Sequence, residues 1–407
     1  LMQAAPDDPL LPTRVTELAA IEPLRLLGHL ARRESAGRAW LVTRGVHAIR
    51  SATTEESAYQ GPLWGAGRGF ALEHPDKWGG LVDLPLEADE SELIEAMLQA
   101  FYSGDAEDQL AYRDGQWLAP RIVPVTPGEA PQVQLRPDAA YMVTGAFGGV
   151  GPLVARWLVD RGARHLALVG RNVRGDADFD LEMERRGVSV QVFGADVADA
   201  QALARVLEAI RGSGTALRGI VHAAAHLDAA PLRGLQSRQV ETMLRPKLLG
   251  TVNLERLTRT LELDFLVLFS STTALLGASG LAHYAAANAF LDAFAAAHDA
   301  PGRRVLSVNW GTWEVMRLAS ADSQKEYLES GLEPLQAAEA FDALSRLLNG
   351  GSPNAIVARV NWAKLKPLHE ARRPRPLLAE LGGSNRGRAD AAETDSAAPG
   401  LQLSNVP

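Results

Sequence analysis

The sequence contains a glycine-rich turn, Thr144-Gly145-Ala146-Phe147-Gly148-Gly149-Val150-Gly151, directly after the apolar run Tyr141–Val143. Glycines at these positions let the backbone turn tightly and approach a ligand closely. Pro152 suits the first turn of a helix, and helical apolar spacing follows it. A strand, a glycine turn and a helix N-terminus in this order favour a dinucleotide-binding site over a plain turn. The candidate cofactor residues in the turn are Thr144, Gly145, Phe147, Gly148, Gly149, Val150 and Gly151.

Two residues farther along indicate which dinucleotide is bound. Arg171 follows the next apolar run, at a position where NAD-binding proteins place an acidic residue. A guanidinium can bind the 2′-phosphate of NADP(H), which favours NADPH; the alternative is a solvated surface arginine. Asp196 has two equal interpretations, as an acceptor for the adenine amino group or as the cap of the following helix. Val197, Ala223 and Ala224 are the remaining candidate cofactor residues.

Apolar runs and helical patterns alternate through the second half of the chain. The predicted strands are Tyr141–Val143, His165–Val169, Val188–Phe193, Gly219–His222, Phe265–Phe269 and Arg304–Val308. The predicted helices are Pro152–Arg161, Ala200–Arg211, Val240–Leu263 and Tyr284–His298. This alternation is typical of an α/β fold with a parallel sheet that is covered on both faces.

The first half of the chain carries a weak copy of this pattern. Residues 39–45 read Ala-Trp-Leu-Val-Thr-Arg-Gly, and residues 140–145 read Ala-Tyr-Met-Val-Thr-Gly. Each stretch is typical of a buried strand that ends in a turn. The two halves are therefore interpreted as α/β units of common ancestry, with a chance likeness over six residues as the equal alternative.

Composition excludes several classes of protein. The 407 residues carry a formal net charge of −8, which argues against a dedicated nucleic-acid binder. The sequence has no cysteine, so it has no disulfide or thiolate metal site, and it suits a reducing cytoplasm. No uncharged apolar run reaches the roughly 18 residues that span a bilayer, and the acidic start is unlike a signal peptide. We expect a cytoplasmic protein, excised from a longer polypeptide, that binds neither membranes nor metal.

Four polar residues in the second half form a candidate catalytic set. Tyr284 and Asn288 lie four residues apart and share one face of a predicted helix. Ser271 ends the preceding strand, 13 residues before the tyrosine, and Lys247 lies 24 residues before the serine. Taken singly, they also fit a core aromatic, a polar helix residue, a turn cap and a solvated charge.

These motifs together resemble the short-chain dehydrogenase/reductases and, more narrowly, the ketoreductase domains of modular type I polyketide synthases. In that subgroup the lysine lies upstream and the asparagine follows the tyrosine, as Lys247 and Asn288 do here. The phrases Leu63–Pro75, His222-Ala-Ala and Asn309-Trp-Gly311 are also similar to the family. The resemblance covers about residues 35 to 381.

The resemblance implies two Rossmann-like subdomains with parallel sheets. The first, residues 1–135, would be a degenerate structural subdomain without cofactor. The second, residues 136–381, would be catalytic and bind NADPH. Residues 382–407, poor in large apolar side chains, are expected to form a flexible linker.

The implied activity is reduction of a β-keto group to a β-hydroxyl on an acyl-carrier-protein-bound polyketide intermediate, among neighbouring synthase domains. Tyr284 would donate the proton; because a free phenol has a pKa of about 10, it needs the nearby cation of Lys247. Ser271 would hydrogen-bond the carbonyl oxygen, and Asn288 would keep the proton relay ordered. Hydride would come from the nicotinamide.

Some positions depart from the family pattern. Ala146 and Phe147 replace the frequent Gly and Thr of the turn, and Ala225 replaces a frequent Gly. Leu227-Asp228-Ala229 lacks the last Asp that marks one stereochemical type, and Leu276 stands where the opposite type carries Trp. The alcohol configuration is therefore not readable, with a slight preference for the first type.

Two alternatives to reduction remain open: a reductase-inactive structural domain, and an epimerising ketoreductase. The retained tyrosine, lysine and glycine turn argue against the first, and the altered turn leaves room for the second. Residues 312–335 are expected to form a mobile lid over the substrate. The basic cluster Arg372, Arg373 and Arg375 has two equal interpretations, as a docking site for an acidic carrier protein or as a solvated tail.

Overall fold

The computed structural model describes residues 11–34, 37–50, 52–102, 106–125, 132–317 and 330–382. The first unit, residues 11–125, contains a four-stranded sheet, and the second unit, residues 132–382, contains a seven-stranded sheet. The strands are β1 (Ala39–Arg44), β2 (Trp78–Leu84), β3 (Gln109–Arg113), β4 (Gln116–Leu118), β5 (Ala139–Thr144), β6 (His165–Gly170), β7 (Ser189–Gly194), β8 (Ala216–His222), β9 (Phe265–Ser271), β10 (Val305–Trp310), β11 (Leu332–Glu333), β12 (Asn354–Val357) and β13 (Arg359–Val360).

Helices connect the strands of both units. They are α1 (Leu11–Thr16), α2 (Glu22–Arg32), α3 (Glu55–Ala58), α4 (Gly61–Glu73), α5 (Glu90–Tyr102), α6 (Gly151–Asp160), α7 (Ala177–Arg185), α8 (Ala200–Gly212), α9 (Ser237–Thr258), α10 (Thr273–Leu276), α11 (Ala282–His298), α12 (Glu314–Arg317), α13 (Ala337–Leu348) and α14 (Trp362–Glu370). A π-helical turn, Glu17–Ile21, joins the first two helices.

The seven strands of the main sheet in the second unit run parallel in the order β12-β10-β9-β8-β5-β6-β7. From β5 the chain adds β6 and β7 toward one edge of the sheet, and then adds β8, β9, β10 and β12 toward the other edge. The order of strands therefore reverses between β5 and β8. In open α/β sheets, ligands bind outside the carboxyl ends of the strands at such a reversal. Thr144 and His222 pair at this point, so the glycine turn begins where the topology provides a binding crevice.

Successive side chains of the central strand β5 pack alternately into two cores, one on each face of the sheet. Ala140 and Met142 pack into a core that includes α8, α9 and α11, and this core continues into the first unit. Tyr141 and Val143 pack into a second core with α6, α7 and α13. Because successive side chains point to opposite faces, a strand buried on both faces reads as one apolar run.

The first unit is a smaller version of the same α/β arrangement. Strands β1, β2 and β3 are parallel, and β4 pairs antiparallel with β3. Both β1 and β5 are followed by a glycine with positive φ, Gly45 and Gly145. The expected α/β class with two Rossmann-like units and parallel sheets, the first one degenerate, is confirmed.

The predicted elements of the second unit are found, with one clear error at a boundary. The helix predicted as Val240–Leu263 ends at Thr258. The apolar spacing continued to Leu263 because Leu263 is buried, but it lies in the turn before β9 rather than on the helix. None of the helices in the described residues combines the length and apolarity that crossing a bilayer requires. The same residues contain no cluster of acidic and histidine side chains suited to a metal ion.

Candidate active site

The glycine turn is shaped by close backbone contacts. Gly145 has φ +71°, and a Cβ there would lie 2.7 Å from the Ala223 backbone at the end of β8. A Cβ on Gly151 would lie 2.2 Å from the carbonyl oxygen of Ala146. Both positions therefore require glycine for the turn to close against its neighbours. Ala223 and Ala224 are half-buried beside this turn, as expected for residues at the crevice.

The outer side of the turn is open to a ligand. Gly148 and Gly149 are exposed, and a Cβ on Gly149 would have no neighbour closer than 4.0 Å. No side chain caps the N-terminus of α6, whose N-cap residue is Val150. Exposed backbone at a helix N-terminus with its positive dipole end is suited to a pyrophosphate. The turn therefore fits a dinucleotide.

Phe147 and Thr144 occupy two different environments in this turn. The ring of Phe147 lies against Gly170 at the end of β6, where a Cβ would come within 2.7 Å of Cδ2 of the ring. Thr144 is buried, and its hydroxyl pairs with Nδ1 of His222 at 2.6 Å. The threonine side chain thus contacts the protein, so it would serve a cofactor site by holding the turn in place.

The two candidates for nucleotide recognition differ in their availability. Arg171 is exposed and has no hydrogen bond or ion pair to any residue the structure describes. Asp196 accepts a hydrogen bond from the Ala198 N–H at 2.9 Å and pairs with Arg245 at 3.5 Å. The residue that caps α8 is Asp199, so the interpretation of Asp196 as the helix cap was wrong.

The side chain and the carbonyl of Val197 both contact the protein. Its side chain is buried against α9, where a Cβ on Gly250 would lie 2.8 Å from it, and its carbonyl accepts from Asn253 at 3.0 Å. A cofactor role for Val197 would therefore fall to its main-chain N–H.

The turn after β1 in the first unit, which corresponds to the glycine turn, is blocked by a carboxylate of the protein itself. After β1, the N–H groups of Val46 and His47 donate to the carboxylate of Asp83, at 3.1 and 3.2 Å. Arg113 pairs with the same buried carboxylate at 2.5 Å. An internal anion thus takes the main-chain donors that a pyrophosphate would need at this turn.

Lys247 lies at the centre of the candidate catalytic set. Its ammonium is buried, donates to the carbonyl of Phe269 at 2.6 Å, and lies 5.8 Å from the ring centroid of Tyr284. Burial lowers its pKa to about 7, an effect that the charge of Asp292 opposes. The helix α9 and the strand β9 thereby place a cation beside the phenol.

The other three members differ in their burial and in their hydrogen bonds. Ser271 and Tyr284 are half-buried, while Asn288 is fully buried one helical turn after the tyrosine. The Asn288 Nδ2 donates to the Tyr284 carbonyl at 2.8 Å, and its Oδ1 has no hydrogen-bond partner among the described residues. The Ser271 Oγ accepts from the Thr273 N–H at 3.3 Å. The turn-cap interpretation of Ser271 is therefore confirmed, and its hydrogen bond to a substrate carbonyl stays a prediction.

His222 was quoted in the sequence but not recognised as part of the site. Its Nε2 lies 3.0 Å from the carbonyl of Pro246, directly before Lys247, and its Nδ1 pairs with Thr144. Burial, with Lys247 as the second cause, lowers the pKa of His222 to about 3, so the ring is neutral. It then donates from Nε2 and accepts at Nδ1, which links the glycine turn to the residue directly before Lys247.

The basic cluster near residue 375 is not a charged surface. Arg375 is buried and donates to the carbonyl of Leu276 at 2.7 Å. Arg373 donates to the carbonyl of Trp78 at 3.1 Å, and Arg372 alone is exposed without such a contact to a described residue. Two of the three arginines hold the fold together, so neither interpretation of the cluster holds as stated. Much of the expected lid, and residues 383–407 of the expected linker, lie outside the described residues.

Comparison with known families matches two parts of the chain. Residues 139–315 match the KR domain, and residues 2–122 match the Rossmann fold domain of the polyketide synthase extender module SpnB. Polyketide synthase GfsA of Streptomyces halstedii is 37% identical over 349 residues, which cover 84% of this chain and 5% of that protein. The pikromycin polyketide synthase component PikAIII of Streptomyces venezuelae is 33% identical over 365 residues, which cover 89% and 23%. The chain thus spans less than a quarter of the length of these relatives.

Solved structures show the same relationship over most of the chain. An A-type ketoreductase from a modular polyketide synthase is 35% identical to this chain, with a TM-score of 0.80. The match covers 88% of this chain and 76% of the solved one. A C2-type ketoreductase from a modular polyketide synthase is 34% identical, with a TM-score of 0.82, and covers 88% and 78%. Sequence, topology and the arrangement at the crevice agree, and the chain belongs to the ketoreductase domains of modular polyketide synthases, a family of Rossmann-type oxidoreductases that use a nicotinamide cofactor.

Proposed function

We propose that this chain reduces the β-keto group of a polyketide intermediate, held as a thioester on the phosphopantetheine arm of an acyl carrier protein, with NADPH as the reductant. The observation that carries the proposal is the buried ammonium of Lys247 between the Phe269 carbonyl and the Tyr284 ring. Such a cation favours proton release from the phenol while negative charge builds on a ketone oxygen.

Apart from the hydride transfer, each step can be assigned to a group of this chain. NADPH, when bound, supplies the hydride that adds to the carbonyl carbon. The Ser271 hydroxyl donates a hydrogen bond to the carbonyl oxygen, and Tyr284 transfers its phenolic proton to that oxygen as the C–O double bond becomes single. Lys247 stabilises the resulting phenolate. The Oδ1 of Asn288, which has no hydrogen-bond partner among the described residues, accepts a hydrogen bond from the water that returns a proton to the phenolate.

The proposal includes an organisation of the chain and its surroundings. We assign residues 1–135 to a structural subdomain without cofactor, residues 136–381 to the catalytic subdomain, and residues 382–407 to a linker toward neighbouring synthase domains. The blocked turn at Asp83 supports the first assignment. The absence of cysteine from the sequence is compatible with the cytoplasm.

NADPH consumption with a β-keto N-acetylcysteamine thioester tests the function directly, and chiral analysis identifies the alcohol. We expect stoichiometric NADPH oxidation and β-hydroxy product. A chain that binds NADPH but only exchanges the α-proton of an α-substituted substrate would instead be an epimerising ketoreductase. A chain that does not bind NADPH would be a structural domain.

Arg171→Gln should weaken NADPH binding about tenfold or more, because a charged hydrogen-bond partner of the 2′-phosphate is lost, and should leave NADH binding unchanged. Calorimetric titration of both nucleotides measures the difference. Arg211→Gln is the matched control, since Arg211 is exposed on α8. Equal weakening for both nucleotides would contradict a 2′-phosphate contact at Arg171.

The rate should fall as the pH rises through about 7, because Lys247 then loses the proton that makes it a cation. The unfolded lysine keeps its proton to higher pH, so above this value unfolding takes up a proton and the contribution of Lys247 to stability rises. Activity and stability should therefore diverge, as measured by kcat/KM and Tm across this range. Asp292→Asn should shift the loss of rate to lower pH, since that carboxylate favours the ammonium. A rate independent of pH here would contradict the role of the cation.

A further inference from the structure

Two loops leave the carboxyl edge of the second unit's sheet and flank the candidate catalytic residues. The loop after β8, residues 223–236, contains the short 3₁₀ helix Leu232–Gly234. The loop 277–281 joins α10 to α11, directly before Tyr284. The Ala230 N–H donates to the Gly280 carbonyl at 2.8 Å, so the loops touch each other. Nε2 of His283, the residue before Tyr284, lies 2.8 Å from the Asp228 carbonyl in the first loop, so both loops border Tyr284.

A carboxylate of the first unit bridges these two loops. Glu73 is the last residue of α4, and its side chain is only 6% exposed. Its Oε2 accepts from the Leu232 N–H, and its Oε1 accepts from the Gly280 N–H, each at 2.9 Å. Each oxygen thus binds one loop. Hydrogen bonds to a charged group are stronger than neutral ones, and both of these are part-buried.

A second buried charge on the same helix holds the segment after Ser271. Arg68 donates from Nη1 to the Ala274 carbonyl in α10 at 2.7 Å, and from Nε to the side-chain oxygen of Gln109 at 2.9 Å. It therefore places a cation at the C-terminal end of α10, where carbonyls lack helical partners. Helix α4 thus contacts three segments that border the crevice, although it belongs to the unit whose own turn is blocked.

We propose that Glu73 is a positioning residue, whose two hydrogen bonds fix the distance between the loops 223–236 and 277–281 and so determine which face of the ketone meets the hydride. This rests on the proposed reduction. A glutamate suits this task because it offers an acceptor to each loop at once. A glutamine offers one acceptor and turns an N–H₂ donor toward the other loop's N–H, so one bridge must break.

The test compares wild type with Glu73→Gln. Hydrogen exchange at the Leu232 and Gly280 amides should accelerate, the KM for the thioester should rise about tenfold, and the ratio of the two alcohol epimers should move toward equality. The NADPH dissociation constant should not change, since the glycine turn is untouched. Glu95→Gln, an exposed glutamate on α5 of the same unit, is the matched control and should leave all four readouts as in wild type.

Glu73→Asp guards against a variant that fails to fold. It keeps the charge and both acceptor oxygens but shortens the side chain by one methylene, so the epimer ratio should change with a smaller loss of stability. A lower Tm with an unchanged epimer ratio and unchanged KM would overturn the proposal, because a merely structural glutamate gives that result. A wild type that reduces no thioester overturns the proposed function instead, and the exchange rates alone then decide whether Glu73 holds the loops.

Discussion

Tyr284→Phe is expected to lower kcat by roughly 10²–10⁴-fold while leaving NADPH affinity unchanged, because it removes the phenolic hydroxyl that would donate the proton. The ring remains in place beside Lys247, which lies 5.8 Å from its centroid, so the packing of α11 is preserved. In the proposed mechanism, the Ser271 hydroxyl then remains as a hydrogen-bond donor to the ketone oxygen.

Single-turnover NADPH oxidation and fluorescence titration of NADPH separate the two quantities. Tyr102→Phe is the matched control, since that side chain is 82% exposed at the end of α5 and loses the same hydroxyl. A Tyr284→Phe variant with near-normal turnover would show that another group delivers the proton. A variant that loses NADPH binding as well would show that the hydroxyl belongs to the cofactor site.

The glycine turn and the positions of the strands along the chain could be predicted because both are local properties of the sequence. A strand that is buried on both faces must be apolar along its length, and a turn with φ +71° at Gly145 requires glycine. The i, i+4 spacing of Tyr284 and Asn288 likewise fixes one helix face. These features predict the crevice from the sequence alone.

Contacts between distant segments could not be predicted in the same way. Nothing local distinguishes Arg375, buried against Leu276, from its exposed neighbour Arg372 in the same basic cluster. Asp196 and Asp199 both precede α8, and only the backbone geometry decides that Asp199 caps it. The contacts of Glu73 span 159 residues to Leu232 and 207 to Gly280, so no periodicity reveals them.

One long-range signal was present in the sequence but was not interpreted. Gly61, Gly65 and Gly69 recur every fourth residue on α4 and face α11, the helix that carries Tyr284. A glycine inside a helix is less stable than alanine by roughly 0.5–1 kcal/mol, so three on one face indicate a close helix contact. The partner of that contact, however, lies more than 200 positions along the chain.

Gly65→Ala is expected to destabilise the protein by about 1–3 kcal/mol and to lower kcat/KM, because the two helices cannot keep their present distance. A Cβ at Gly65 would lie 2.1 Å from the Ala285 carbonyl oxygen, directly after Tyr284. The obstacle is backbone rather than a movable side chain, so α11 must shift and carry the phenol away from Lys247.

Two other glycines separate this effect from general destabilisation. Gly212→Ala, at the end of α8 with open space around it, should leave both Tm and kcat/KM intact or raise the Tm slightly. Gly67→Ala lies on the same helix but would collide with Trp78 and Leu81 of the first unit. It should lower the Tm with a smaller loss of kcat/KM at a temperature where the protein remains folded. If Gly65→Ala and Gly67→Ala lowered kcat/KM equally at matched stability, the contact of α4 with α11 would have no separate influence on Tyr284.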